Sequence, residues 1–189
     1  MARARRRLPT LSPQRRNEIG GVLLLAGSLF LLMSLLSLDP DDSAFFTSHP
    51  SPQARNLCGV VGAWVAGLVR ITLGWTGYLL PLLGFLWAVS RFNGRPSHRP
   101  LLRGLSTLLL LISASGLLSI VWVQDQPARI LRGGVVGLMA GDQSLQYFGW
   151  WGAVVVLLTL GLLCLLLSTE LVVWPFLRAG GEGMVQGSR

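Results

Sequence analysis

The chain has 189 residues, of which 51% are hydrophobic and only 13% are charged. This balance excludes a soluble domain of ordinary composition and is typical of a protein whose solvent is largely lipid. The net charge of +8 comes entirely from arginine, because the sequence contains no lysine. Arginines beside apolar segments more often set membrane orientation than bind nucleic acid, so the basic excess favours a membrane protein.

Four segments are apolar enough to cross the hydrocarbon core of a bilayer, which takes roughly 20 helical residues. They lie at about 19–38, 74–89, 101–123 and 150–174. Residues 1–16 form a basic N-terminal segment, residues 17–174 the membrane domain, and residues 175–189 the start of a linker. The sequence therefore predicts an all-α membrane protein with four transmembrane helices.

Two further segments, 56–72 and 128–147, follow the first and third spans. Both are largely apolar, but charges interrupt them: Arg70 in the first, and Arg132 and Asp142 in the second. We expect short amphipathic helices that lie at the outer interface or pack back onto the bundle. A six-span alternative would require these charges to be buried in the membrane.

The same glycine pattern occurs in both halves of the chain, 75 residues apart. The first glycine box, Gly-Val-Val-Gly, occupies residues 59–62 and 134–137. The second glycine box, Gly-Trp-x-Gly, occupies residues 74–77 and 149–152. An internal repeat of this kind indicates two similar structural units, here two duplicated helical hairpins.

We also expect glycine to be the main residue through which the helices of the predicted bundle pack. Lipid provides no hydrophobic drive for helices to associate, so they pack where small residues allow their backbones to approach. The candidate residues for helix packing or assembly are Gly59, Gly62, Gly74, Gly77, Gly134, Gly137, Gly141, Gly149 and Gly152. We expect a bulky substitution at Gly62 or Gly137 to impair assembly more than one at Gly27.

The arginines predict the orientation. Twelve of the 16 precede the first span, separate the second from the third, or follow the fourth. The candidate topology residues are Arg3, Arg5, Arg6, Arg7, Arg15, Arg16, Arg91, Arg95, Arg99 and Arg103. By the positive-inside rule, both termini of this multi-pass protein lie in the cytoplasm.

Residues for catalysis, cofactor binding or metal binding are not evident. Without lysine there is no phosphate-binding loop of the G-x-x-x-x-G-K-[ST] type, and the two histidines, His49 and His98, lie on opposite sides of the membrane. Glu170, near the cytoplasmic end of the fourth span, is the one acid embedded near a span. We therefore predict no enzyme, no cofactor and no metal.

Several motifs resemble the N-terminal four-span region of the FtsK/SpoIIIE family of bacterial DNA translocases. The most specific are the Leu-Ser-x-Asp-Pro-x-Asp-Ser turn at 36–43 and the Gly-x-x-Gly-Ala-Trp segment at 59–64. The steps Asn17-Glu18-Ile19 and Gly77-Tyr78-Leu79-Leu80-Pro81 also match, and the resemblance covers residues 16–169.

The resemblance implies an inner-membrane anchor that is targeted to the division septum and acts in cell division and chromosome segregation. Its implied partners are the lipid bilayer, other copies of the chain, since the family motor is hexameric, and other septal membrane proteins. DNA would be reached only through the family's ATP-driven motor, none of whose residues is present here. The alternative is a small transporter or channel built from the two repeated hairpins.

The arginine-rich N-terminus attracts either DNA or anionic lipid in a salt-dependent way. Lipid is favoured, because the segment is tethered at the membrane surface.

Overall fold

Helices account for all the regular secondary structure in the computed structural model, which describes residues 12–42, 47, 54–92, 100–121 and 125–169. In chain order they are α1 (Pro13–Leu36), a 3₁₀ turn (Pro40–Asp42), α2 (Gly59–Leu73), a 3₁₀ segment (Gly74–Tyr78), α3 (Leu79–Phe92), α4 (Pro100–Ile120) and α5 (Gln126–Thr169). Several predicted positions lie outside the described residues: Arg3, Arg5, Arg6, Arg7, Arg95, Arg99, Glu170, the end of the fourth span and the linker at 175–189.

Four helical stretches are long and apolar enough to cross a membrane. They are Gln14–Leu36, Gly59–Phe92, Pro100–Ile120 and Ala128–Ser168. The prediction of an all-α protein with four transmembrane helices is confirmed. The second and fourth stretches contain 34 and 41 residues, more than the roughly 20 that a span needs. Each is longer because it joins a short preceding helix to a spanning helix.

Glycines with positive φ mark these junctions. Gly59 and Gly74 flank α2 with φ of 67° and 61°. Gly134 and Gly149, with φ of 68° and 64°, interrupt α5 and delimit its middle part, residues 135–148. This conformation costs a residue with a side chain about 1–3 kcal/mol. The first residue of each glycine box therefore starts or interrupts a helix, and the two short helices predicted between the spans are confirmed as α2 and residues 135–148.

Within each half, the spanning helices pack through small residues. A Cβ atom on Gly84 of α3 would overlap the hydroxyl of Ser28 on α1. In the second half, a Cβ on Gly116 of α4 would lie 3.2 Å from Leu157 Cδ1 on α5 and 3.4 Å from Ala140 Cβ. Close backbone approach thus replaces the hydrophobic drive that lipid does not provide.

The core is built from small side chains. Among the described residues, the largest side chains that are less than 2% exposed are all serines: Ser34, Ser113, Ser115, Ser119 and Ser168. Two small apolar clusters complete the core. One joins Leu83, Leu110 and Cys164 from three different helices. Cys164 is therefore a buried packing residue, and it and Cys58 are both free thiols.

The connection between α1 and α2 is held by Asn56, which is 4% exposed. Its Nδ2 donates to the carbonyl oxygens of Ser34 at 2.8 Å and Ser37 at 3.2 Å, which lie at the end of α1. Its Oδ1 accepts from the backbone nitrogen of Cys58 at 3.0 Å, and its own backbone nitrogen donates to Asp42 Oδ2 at 2.8 Å. Because carbonyls at a helix end lack partners within the helix, Asn56 both caps α1 and sets the start of α2.

We expect Asn56→Ala to lower the free energy of unfolding by about 1–3 kcal/mol, because it removes buried hydrogen bonds and leaves their partners unsatisfied. The measurement is the thermal unfolding temperature of the purified protein in detergent. Arg55→Ala is the matched control: it removes only the exposed Arg55–Asp39 ion pair, with its N–O distance of 3.3 Å. Such pairs contribute about 0–1 kcal/mol. Equal losses in the two variants would contradict the capping role.

Candidate functional site: the glycine contacts of the outer helices

The first outer helix, α2, packs on the end of α1 through Gly62. A Cβ on Gly62 would lie 2.5 Å from Asn56 Oδ1 and 2.9 Å from Ser34 Oγ, so no side chain fits there. Gly62 is buried, and Ser34 is fully buried beside it. This predicted packing glycine therefore lies inside the first hairpin.

The second outer helix, residues 135–148 of α5, packs on the end of α4 in the same way. A Cβ on Gly137 would lie 2.9 Å from Ser115 Oγ, the same separation that Gly62 has from Ser34 Oγ. One turn further on, a Cβ on Gly141 would lie 2.8 Å from Ile120 Cγ2. The repeat detected in the sequence thus corresponds to a repeated glycine–serine contact. By contrast, Gly27 has nothing within 4 Å of a Cβ.

The two halves of the protein meet where their backbones touch, at Gly74 and Gly134. A Cβ on Gly74 would lie 2.6 Å from the backbone nitrogen of Gly134, and a Cβ on Gly134 would lie 2.6 Å from the backbone nitrogen of Gly74. Each would also overlap a carbonyl, that of Arg132 in the first case and that of Thr72 in the second. Glycine is required at both positions for two reasons: the positive φ and the close approach of the other backbone.

Ser115 of α4 ties this contact together. Its Oγ donates to the carbonyl of Leu73 at 3.1 Å and also contacts the carbonyl of Gly133. It accepts from Thr76 Oγ1 at 3.1 Å. One fully buried hydroxyl therefore bonds to the residues on both sides of the Gly74–Gly134 contact. The sequence did not indicate this role, because a single serine in an apolar helix more often bonds only to its own backbone.

The remaining predicted glycines divide into two kinds. Gly77 and Gly152 lie against side chains of their own outer segments, Val69 and Phe148 respectively. A Cβ on Gly59 or Gly149 would have no atom of the described residues within 4 Å. The structure thus brings Gly74 and Gly134 together and leaves the other two positive-φ glycines open.

The charges of the outer helices are partly compensated. Arg129 donates from Nη2 to Asp142 Oδ1 at 2.5 Å and from Nε to the carbonyl of Ser119 at 2.8 Å. Arg129 therefore caps the end of α4 as Asn56 caps α1, although the two side chains differ in chemistry. Arg70 places its guanidinium 4.7 Å from the ring centroid of Trp75. Cation–π contact of this kind reduces the cost of a cation beside apolar surface.

At the opposite ends of the helices, predicted topology arginines converge. Arg16, Arg91 and Arg103 line one cleft of about 340 Å³ around Trp87. Arg103 is buried: its Nε donates to the carbonyl of Ser168 at 2.9 Å, and its guanidinium lies 4.8 Å from the Trp87 ring centroid. Arg103 thus also joins α4 to the end of α5, a role that its position in the sequence did not indicate. Arg15, by contrast, is exposed.

No group of three or more His, Cys, Asp or Glu residues that could hold a metal ion occurs among the described residues. The buried polar side chains are mainly Ser and Thr, and most bond to carbonyls one turn earlier. Ser28 donates to Leu24 and Ser106 to Leu102, at 2.7 and 2.8 Å. The arrangement is suited to close helix packing.

Residues 13–179 match the family model of the 4TM region of DNA translocase FtsK/SpoIIIE. The chain belongs to this family. With its four apolar helices, it is a multi-pass inner-membrane protein.

Curated relatives agree with this assignment. The chain is 32% identical over 129 residues to the DNA translocase FtsK of Rickettsia prowazekii, which covers 67% of the chain and 16% of that relative. It is 31% identical over 163 residues to the DNA translocase FtsK of Pseudomonas aeruginosa, covering 80% of the chain and 20% of the relative. The chain therefore spans about a fifth or less of the length of these relatives. No solved structure matches it.

The four positive-φ glycines provide an internally matched test of the contact between the halves. Alanine at any of them incurs backbone strain from the positive φ, about 1–3 kcal/mol. We expect Gly74→Ala and Gly134→Ala to lose roughly 1–3 kcal/mol more than Gly59→Ala and Gly149→Ala, because only the first two also force backbones apart. Thermal unfolding of the monomer in detergent measures the difference. Equal losses at all four positions would show that the contact contributes nothing.

Proposed function

We propose that this chain is the septum-targeted inner-membrane anchor of a DNA translocase and acts in cell division and chromosome segregation. The observation that carries the proposal is the match of residues 13–179 to the 4TM region of such translocases. The relatives carry the name DNA translocase, and the chain corresponds to a small part of each. In this role the chain is not itself an enzyme and reaches DNA only through the motor of the family.

The contacts support a mechanical role. A motor that pulls on DNA exerts an equal and opposite force on its anchor, so an anchor must resist separation of its helices. Here the two hairpins are joined by a backbone contact at Gly74 and Gly134, by the hydroxyl of Ser115, and, at the other end of the bundle, by the Arg103 guanidinium 4.8 Å from the Trp87 ring centroid. Tight contacts at both ends suit a rigid unit, and the outer helices offer surfaces for other copies or septal membrane proteins.

The transporter alternative gains no support from the buried polar groups. Ser106 and Ser113 donate to carbonyls of their own helix. Thr107 and Ser168 pair with each other at 2.7 Å. Hydroxyls engaged in this way pack helices together and do not offer free ligands along a transport route.

The proposed orientation places both termini in the cytoplasm, since twelve of the 16 arginines lie on that side. The arginine cleft then faces the anionic headgroups of the inner leaflet. Arg16 and Arg91 at its rim fit a lipid phosphate, which basic pockets between helices commonly bind.

Location and orientation are tested by fusing a fluorescent protein that folds only in the cytoplasm after Arg189 and imaging dividing bacteria. We expect a bright band at midcell. In the matched control, the same fluorescent protein is inserted between Asp42 and Ala54, in the loop that the proposed orientation places outside the cytoplasm. This fusion should be dark. A uniform membrane signal would contradict septal targeting, and a dark C-terminal fusion at normal abundance would contradict the orientation.

Headgroup binding is tested by comparing the stabilisation that phosphatidylglycerol and phosphatidylcholine give to the purified protein. We expect the anionic lipid to raise the unfolding temperature more than phosphatidylcholine does. Arg91→Gln should reduce this extra stabilisation by about 1 kcal/mol, the usual contribution of one basic residue at an anionic surface. Arg55→Gln, which lies outside the cleft, should retain the full difference. Equal behaviour of the two variants would rule out the cleft as the lipid site.

A further inference from the structure

The contact between the two hairpins is asymmetric with respect to the repeat. It joins the second glycine box of the first hairpin, which begins at Gly74, to the first glycine box of the second hairpin, which begins at Gly134. Each hairpin carries both boxes, so each carries both halves of this contact. Within the chain, only one glycine box of each hairpin takes part in the contact between the hairpins.

The unused halves are Gly59 and Gly149. They share the positive φ of the paired glycines, with values of 67° and 64°, yet within the part of the chain that the structure describes a Cβ on either would meet nothing within 4 Å. The repeat equates Gly59 with Gly134 and Gly149 with Gly74. The two open glycines are therefore the two surfaces that, in the other hairpin, form the internal contact.

We propose that a second copy of this chain completes the pattern, with Gly59 of one copy against Gly149 of the next. The proposal rests on the self-association included in the proposed function and identifies the surfaces that form it. By equivalence with the internal contact, the backbone of Gly149 meets that of Leu57 and Gly59, and Gly59 meets the carbonyl of Tyr147. The contact between copies continues the contact between hairpins.

Side chains beside the open glycines suit a contact within lipid. Leu57 stands where the internal contact has Arg132, and Trp151 stands where it has Thr76. Both are exposed, Leu57 by 69% and Trp151 by 77%. The hydrogen bond from Thr76 to Ser115 thus has no counterpart between copies. The contact between chains depends on backbone approach and apolar packing, which drive helix association in membranes.

Such a contact is head-to-tail: each copy presents Gly59 on one side and Gly149 on the other. A head-to-tail interface forms a ring when its rotation closes, whereas a two-fold interface stops at a dimer. Two-fold pairing would place like glycines together, Gly59 on Gly59 or Gly149 on Gly149. The two arrangements make different predictions for cross-linking.

The experiment uses the full chain in bacterial membranes, with Cys58→Ser and Cys164→Ala removing the native thiols. Two differently tagged copies carry Leu57→Cys and Phe148→Cys, both at exposed positions beside the open glycines. A short flexible thiol cross-linker should join the two tags. Met139→Cys, which is exposed and lies in the same middle part of α5 as Phe148, replaces Phe148→Cys in the control and measures random collisions.

We expect about tenfold more mixed dimer than in the Met139 control, the ratio that corresponds to a preference of about 1.4 kcal/mol for the specific contact. Each single variant alone should give only the collision level. A chain carrying both cysteines should give a ladder of dimers, trimers and larger species. Adding Gly149→Ala to the Phe148→Cys copy should reduce the mixed dimer, since a Cβ there would overlap the neighbouring backbone.

Efficient cross-linking of a single variant with itself would overturn the proposal in favour of two-fold pairing. Mixed dimer no more abundant than the control would show that lipid or a different protein covers this surface. Unfolding temperatures of the cysteine variants, measured in parallel, show whether they are folded. Cross-linking does not depend on where in the cell membrane the protein lies. It can therefore fail while midcell targeting holds, or succeed while targeting fails, so the two proposals are tested separately.

Discussion

The contact between the backbones of Gly74 and Gly134 is the constraint on which the rest of the fold depends. Each hairpin is held by packing between neighbouring helices, and the backbones of the two hairpins touch at these glycines. The contact sets the position of α2, the 3₁₀ segment and the middle part of α5. It requires a backbone conformation and a proximity that a side chain would prevent. A change of one methyl group at this point therefore acts on the whole assembly.

Serine hydroxyls connect closely packed backbones elsewhere in the bundle. In lipid, an unsatisfied polar group is costly, so a buried serine must find a carbonyl, and a carbonyl on a neighbouring chain segment is as good as one in its own helix. Ser115 uses the carbonyls of Leu73 and Gly133, and Ser119 donates to the carbonyl of Gly137 at 2.7 Å. Small residues bring the backbones close, and hydroxyls then link them. Large apolar side chains remain for the lipid-facing surface, where Leu101 and Leu163 are exposed.

Polar and charged side chains at the ends of the helices stabilise those ends and join neighbouring segments. Asn56 and Arg129 cap the ends of α1 and α4, and Arg103 joins α4 to the end of α5. A helix end has unpaired carbonyls, so a donor there stabilises the helix while it fixes the following segment. Arg103 is counted by the positive-inside rule but is buried in the structure. A residue that the sequence predicts to set topology is thus also a packing element of the folded domain.

The sequence by itself determined the four apolar helices, the two shorter helices between them, the repeat and the family. These follow from patterns that are local or recur at a fixed spacing: the length of an apolar run, interrupting charges and glycine boxes. It also identified these glycines as candidates for packing, but it could not distinguish among them, because each of the four leads a similar glycine box. Only the tertiary structure decided that Gly74 and Gly134 meet while Gly59 and Gly149 stay open. It likewise decided that Asn56, Ser115 and Arg103 carry the connections. Which backbone lies opposite a glycine, and which carbonyl a hydroxyl reaches, depends on the packing of helices distant in sequence, and no local pattern contains it.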